Sequence, residues 1–391
     1  MQYRKFGNSN WMVSVLGMGC MRLPIIDNDS SRIDEPEAIR LIHRAIEGGI
    51  NYFDTAYPYH NGNSEVILGK ALKDGLRQKV RIATKMPVWK IETYDDFDLC
   101  FNEQLEKLQT DYIDFYLLHG LRKTRWEKVR DLNVLEWVRR VKSDGRIGQI
   151  GFSFHDQYPV LKTIVDEYNG WDFCQIQYNF IDIDEQAGTA GLHYAAQKGL
   201  AVVIMEPLLG GRLANPPESI NEIWKSYPIQ KSPVEWSLQW LWNQPEVTVV
   251  LSGMSTFQQL EENLVYADKA RVNSLNQQDL DLIQKVREKY IESTPIPCTK
   301  CEYCQPCPND VKIPLIFEIF NKGAMIDNWG QARFRYGQLQ PNELASNCVY
   351  CLQCEEVCPQ NIPISQWLDT IEEVFVENKS YVDVDKPAQR R

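Results

Sequence analysis

Pro36-Glu-Ala-Ile-Arg-Leu-Ile-His-Arg-Ala-Ile-Glu-Gly48-Gly-Ile-Asn51-Tyr-Phe-Asp-Thr-Ala56 is a helix and a strand written end to end. Pro36 suits a first helical turn, where its missing N–H would have no intrahelical partner anyway. Ile39, Ile42, Ala45 and Ile46 recur on one face, and Gly48-Gly49 stops the helix. A short apolar run from Asn51 to Ala56 follows. The same unit repeats outward in both directions. Apolar and β-branched runs predict eight strands: Val13–Gly19, Asn51–Ala56, Arg81–Met86, Tyr112–His119, Ile147–Phe154, Phe173–Asn179, Leu200–Pro207 and Val247–Gly253. Amphipathic stretches at Asp95–Leu108, Trp126–Asp144, Glu185–Lys198 and Pro233–Trp242 predict helices between them. Strands alternating with helices in this way build a parallel sheet.

Eight such units close most economically as a (β/α)8 TIM barrel, an α/β fold whose active sites form at the C-terminal ends of the strands. An open doubly wound sheet is the alternative. No Gly-x-Gly-x-x-Gly follows the first strand, however; Gly17-Met-Gly19 runs into Cys20-Met-Arg22 with no immediate helix. The ionisable residues favour the barrel too. Asp54, Lys85 and His119 fall at or near the ends of three successive strands, with Tyr59 in the loop after the first of them. Taken singly, each reads as half of a structural ion pair, a core histidine or one more aromatic residue. Four at consecutive barrel mouths should converge on one pocket.

Eight of the eleven cysteines lie in the last quarter of the chain, as Cys298-x2-Cys301-x2-Cys304-x2-Cys307-Pro308 and Cys348-x2-Cys351-x2-Cys354-x3-Cys358-Pro359. A [4Fe-4S] cube needs four thiolates from different directions, and a chain coiling round one corner supplies three at two-residue intervals. In bacterial two-cluster ferredoxins the cysteine before the proline ligates the other cluster. That rule assigns Cys298, Cys301, Cys304 and Cys358 to one site and Cys348, Cys351, Cys354 and Cys307 to its twin. The first motif has two residues rather than three before its last cysteine. Zinc ribbons need only two Cys-x2-Cys pairs and would leave the further cysteines and prolines unused. Disulfides need an oxidising compartment, yet no apolar export segment follows Met1 and no apolar run is long enough to span a bilayer. A cytoplasmic protein is expected.

The stretch Thr294-Pro-Ile-Pro297 forms a stiff entry into the motifs, after a polar helix over Ser274–Ser293. The expected domains are therefore 1–293 and 294–391. Val311-Lys-Ile-Pro314 after Cys307 and Asn361-Ile-Pro-Ile364 after Cys358 make the second domain an internal repeat. The stretches Leu315–Phe320 and Trp329–Tyr336 between the motifs have helical patterning, which predicts a small α-helical ferredoxin-like domain. A net charge of −11 argues against nucleic-acid or anionic-membrane partners.

Asn51-Tyr-Phe-Asp-Thr-Ala-Tyr-Pro-Tyr59 with Ser64-Glu65, Ala83-Thr-Lys85 and Leu117-Leu-His119 resemble the aspartate, tyrosine, lysine and histidine segments of the aldo-keto reductases. Similarity extends from Met1 to about Tyr266, and the subgroup it resembles is the iron–sulfur aldo-keto reductases, whose barrel precedes a ferredoxin-like tail. The resemblance implies interconversion of a small-molecule carbonyl and alcohol by hydride transfer. Tyr59 would donate the proton, Lys85 would ease its release, Asp54 would hold Lys85, and His119 would orient the carbonyl oxygen. It also implies NADPH as cofactor, with NADH admitted. Ser153 and Gln175 would hold the nicotinamide carboxamide. Met205 stands where many relatives stack a tyrosine under the ring, and Gly253, Ser255, Gln259, Glu262 and Asn263 match the segment at the adenosine phosphate end. The Lys and Arg that many relatives place on the 2′-phosphate are absent from that segment.

A nicotinamide carries a hydride, each cluster takes one electron, and no flavin motif is evident to join them. The two [4Fe-4S] clusters would thus brace the tail or exchange electrons with a redox partner protein. The alternative is a redox-sensing or electron-transfer adaptor, in which the barrel binds nucleotide and the ferredoxin-like module docks a partner. Trp89, Tyr57 and the loop Gly210–Ser232 are candidates for shaping specificity, and Cys20 lies near the barrel mouth.

Overall fold

The computed structural model describes residues 1–325 and 328–387. Its strands are β1 (Tyr3–Lys5), β2 (Met12–Ser14), β3 (Leu16–Gly19), β4 (Tyr52–Asp54), β5 (Arg81–Met86), β6 (Ile113–Leu121), β7 (Ile147–Phe154), β8 (Phe173–Gln177), β9 (Ala201–Met205) and β10 (Val247–Ser252). The last eight pair in chain order, all parallel, and β10 closes on β3 to complete the barrel. Every predicted strand has its counterpart. Helices Asp95–Leu108 and Pro233–Trp242 run between the predicted residues.

The predicted first strand divides in two. Val13 and Ser14 pair antiparallel with Arg4 and Tyr3 in a β1–β2 hairpin, and only Leu16–Gly19 enters the barrel. A continuous apolar run conceals this change of partner, because both halves are buried. Phe6 and Trp11 flank the hairpin turn and lie against the interior ring of Phe115, with centroids 4.5 and 5.3 Å away. With Tyr52 and Phe173 they fill the N-terminal end of the barrel, leaving chemistry to the opposite mouth. The predicted helix Trp126–Asp144 is likewise two helices, Lys123–Asp131 and Val134–Ser143, broken where Asn133 adopts φ 61°.

By packing, the chain forms two compact units, Met1–Leu208 with Glu235–Asn276, and Leu209–Val234 with Gln277–Arg391. The boundary expected near residue 293 separates the chain by its motifs; the contacts divide it by packing. In the second unit, helices Ile313–Met325, Trp329–Tyr336 and Ile364–Phe375 enclose a core that includes Phe317, Phe320, Trp367 and Ile371.

The cysteine loops repeat at the level of backbone angles. Lys300 and Glu302 have φ of 55° and 63°, and Tyr350 and Leu352, at the same offsets in the second motif, have 55° and 59°. Asp310 and Asn361, each three residues after the last cysteine of its motif, have 59° and 51°. A non-glycine residue in the left-handed region costs on the order of 1 kcal/mol. Such costs at six matched positions mark two loops that follow one backbone path.

Candidate active site and cysteine cavities

Asp54 ends β4, Lys85 sits one residue before the end of β5, and His119 lies near the end of β6. Parallel register puts these positions side by side at the barrel mouth. The Lys85 ammonium donates to Asp54 Oδ1 at 2.6 Å and to the Thr55 carbonyl at 2.7 Å, and reaches Tyr59 Oη at 3.4 Å. Lys85 and Asp54 are only 1% and 3% exposed in their side chains, so each is an ion whose desolvation is offset chiefly by the other. Burial nonetheless pushes the Asp54 carboxyl above its usual range, against the pull of Lys85. The His119 ring stands edge-on to Tyr59 with centroids 6.2 Å apart, and Trp89 lies 5.0 Å from the same imidazole. The four expected residues are thus brought together, with Trp89 as a wall. Tyr57 instead bonds Glu103 and lies beneath Lys90 and Lys107.

Two sets of contacts fix this geometry. His60, left-handed at φ 52°, accepts from Leu23 N–H and bonds the Ser30 carbonyl, which pins the turn that carries Tyr59. Behind Lys85, buried Glu65 accepts from Thr84 and from Gln104, both at 2.6 Å, and Gln104 also donates to the Lys85 carbonyl and accepts from Tyr116. These bonds lock β5 to β6 and to the helix Ser64–Ala71. Burial, reinforced by Lys85, His155 and Arg125, drives His119 well below the ordinary histidine range. At neutral pH it is an uncharged imidazole, and its Nδ1 has no hydrogen-bond partner. Sequence reasoning missed His155, a second buried histidine just past β7, which burial and two arginines push down to about 3. It also missed the network behind Lys85. A Glu, a Thr and a Gln from separate elements carry no signal until the fold joins them.

The positions expected to hold a nicotinamide can be tested against the polar atoms they leave over. Ser153 Oγ already accepts from Gly120 N–H at 2.7 Å, so its own proton remains to donate. Gln175 bonds Asp54 through its amide group, and its Oε1 is buried without a partner. One donor and one acceptor side by side fit a primary carboxamide. Met205 ends β9, half-buried. At the mouth of β10 the residues engage one another: Ser255 N–H donates to Gln259 Oε1 at 2.8 Å, Thr256 caps helix Phe257–Asp268, Gln258 donates to Glu262, and Asn263 donates to Ser252. The structure adds a residue here. A Cβ at Gly253 would lie 3.1 Å from the Cβ of Arg22, whose carbonyl accepts from Ser255 Oγ. An arginine from the loop after β3 thus lies against the segment that itself has none.

Cys20 is fully buried, and burial raises its thiol well above the usual value, as an inert core residue requires. The motif cysteines differ. Cys298, Cys301, Cys304 and Cys358 wall one cavity, and Cys307, Cys348, Cys351 and Cys354 wall a second, which Cys304 also borders. These are the two expected sets of four, and the shorter spacing before Cys307 does not keep it from its set. Among the described residues no three His, Cys, Asp or Glu groups converge tightly enough to hold a single metal ion. Each set lines its own cavity instead. The backbone N–H of Lys300 bonds the Cys298 sulfur and that of Tyr350 bonds the Cys348 sulfur, so the repeat extends to these hydrogen bonds.

Comparison with known proteins agrees with both halves of this description. The aldo/keto reductase family model matches residues 15–288, and a 4Fe-4S dicluster domain model matches residues 297–362. The oxidoreductase YqkF of Bacillus subtilis is 28% identical over 70% of this chain and 93% of its own length. The L-galactose dehydrogenase of Arabidopsis thaliana is 25% identical over 73% and 94%. Among solved structures, the holo form of aldo-keto reductase AKR11C1 from Bacillus halodurans superposes with a TM-score of 0.61 at 29% identity, covering 73% of this chain and 96% of that one. The closed barrel, the gathered Asp54, Tyr59, Lys85 and His119, and a family match over most of the chain lead to one conclusion: this protein belongs to the aldo/keto reductase family and is an oxidoreductase that also carries a 4Fe-4S dicluster domain.

Proposed function

We propose that the barrel interconverts a small-molecule carbonyl and its alcohol with NADPH, NADH being admitted, and that Tyr59 is the proton donor. The observation that carries this reading is the single ammonium of Lys85, shared among Asp54, the Thr55 carbonyl and Tyr59 Oη. Ser153 and Gln175 would hold the carboxamide of a reduced nicotinamide, which would supply the hydride. Hydride arrival makes the carbonyl oxygen an alkoxide, which needs a proton at once. An unperturbed tyrosine, with a pKa of about 10, gives one up slowly at neutral pH. Lys85 stabilises the phenolate left behind, and Asp54 holds Lys85 within reach. The neutral His119 donates a hydrogen bond to the carbonyl oxygen and does not compete as an acid. Arg22 beside Gly253 provides a cation for a phosphate of the cofactor.

The two clusters read as an electron-exchange module separate from the hydride step, because hydride and single-electron carriers do not couple directly. Cys351 is exposed, and Val349, Tyr350 and Leu352 around it are 61%, 55% and 45% exposed. This edge also favours the second reading, an adaptor whose module docks a redox partner.

Tyr59→Phe separates the two. The expected result is a loss of kcat of about 10²–10⁴-fold with NADPH affinity and cluster absorbance unchanged. Full carbonyl reduction by the variant would overturn the assignment of Tyr59. A cellular role that survives without turnover would favour the adaptor.

A further inference from the structure

The second compact unit holds a cavity of about 630 Å³ that neither the hydride chemistry nor the cluster sites use. Its size lies within the range of small-molecule sites, roughly 300–1,000 Å³. Among the described residues lining it are four cations, Arg212, Lys300, Lys322 and Arg335, and one carboxylate, Glu318. Glu318 pairs with both Lys300, at 2.5 Å, and Lys322. One carboxylate between two ammonium groups leaves an excess of positive charge, in a chain whose net charge is −11. The wall is also built rather than incidental. Gly210 approaches the backbone so closely that a Cβ there would meet the Thr299 carbonyl oxygen at 2.1 Å, and Arg212 donates to the Cys298 carbonyl at 3.3 Å. Tyr290 in turn donates to the Arg212 carbonyl at 3.4 Å. Cys298, one of the four cysteines of the first cavity, borders this space as well.

We propose that this cavity is a second ligand site, for a mononucleotide-sized organic phosphate. Arginine and lysine side chains lining one cavity recognise a phosphate dianion by charge and by forked hydrogen bonds. The volume leaves room for a ring system beside it. A ligand seated there would touch the residue chain of the first cysteine set, so its binding should register in the absorbance of that cluster.

The test uses anaerobically prepared holoprotein with both clusters in place, titrated by calorimetry with flavin mononucleotide and with AMP. At least one should bind with Kd below about 100 μM. Lys322→Glu with Arg335→Glu, both exposed positions clear of the cysteines, should weaken that binding at least about tenfold. NADPH binding should stay unchanged, which distinguishes failure here from failure of the barrel reading. Against the unmodified holoprotein, excess inorganic phosphate should displace the nucleotide more than chloride of equal ionic strength. Absence of binding by both nucleotides, indifference to charge reversal, or equal displacement by chloride would each overturn the proposal.

Discussion

The barrel mouth and the cysteine loops both gather reactive side chains, but by opposite means. Asp54, Lys85 and His119 are far apart along the chain and meet only because parallel strands hold a common register. The cysteines of each motif meet through local turns, with left-handed residues at matched offsets, and only Cys307 and Cys358 are exchanged between the sets. A site made by register depends on the whole sheet, whereas one made by turns depends on a short loop and on what it wraps. Damage to one should therefore leave the other intact.

The largest expected effect strikes the register-built site. Asp54→Asn leaves the Lys85 ammonium buried beside a neutral amide, and stripping one partner from a buried ion pair costs about 3–5 kcal/mol. Thermal unfolding of the barrel should fall accordingly and turnover should be lost, while cluster absorbance at low temperature stays normal. A variant as stable as the parent would show that closure of the sheet, rather than the ion pair, holds the site.

Cys348→Ser sharpens the comparison from the other side. Iron content should fall by about half, since one of two clusters loses a ligand, with carbonyl reduction unaltered. Lost reductase activity would mean that the two regions are coupled after all.

Smaller effects are expected at the residues only the structure exposed. His155 titrates near 3 when folded and about 6.5 when unfolded. Below pH 6.5 the unfolded chain takes up a proton that the folded chain refuses, so stability present above 6.5 is lost as the pH falls towards 3. The slope is about 1.4 kcal/mol per pH unit for this residue. His155→Leu should flatten the decline in melting temperature between pH 7 and 5; an unchanged slope would remove His155 from the explanation. Arg22→Ala should raise KM for NADPH by about fivefold, in line with a partly exposed charge contact of about 1 kcal/mol, and hardly change KM for NADH. Equal losses with both cofactors would place the cation at the shared phosphates instead.

Much of this was legible in the residues themselves. The strands announce themselves as apolar runs bounded by helices, and Lys85 or Asp54 stands out because a charge is rare at the end of such a run. The split of Val13–Gly19 was not legible, since Val13, Leu16 and Met18 are equally buried in two different sheets. Nor was the break at Asn133, which no glycine or proline marks. Arg22 and Gly253 meet only through the pairing of β3 with β10, a closure that joins the two ends of the barrel sequence.

Independence of the two regions is tested most directly by mixing anaerobic holoprotein with NADPH and an aldehyde while following nicotinamide absorbance, cluster absorbance and EPR together. The expected result is oxidation of NADPH in step with loss of aldehyde, with the clusters remaining oxidised and EPR-silent. Reduction of the clusters at the rate of turnover would contradict it, and would mean that electrons pass between the barrel site and the cysteine cavities.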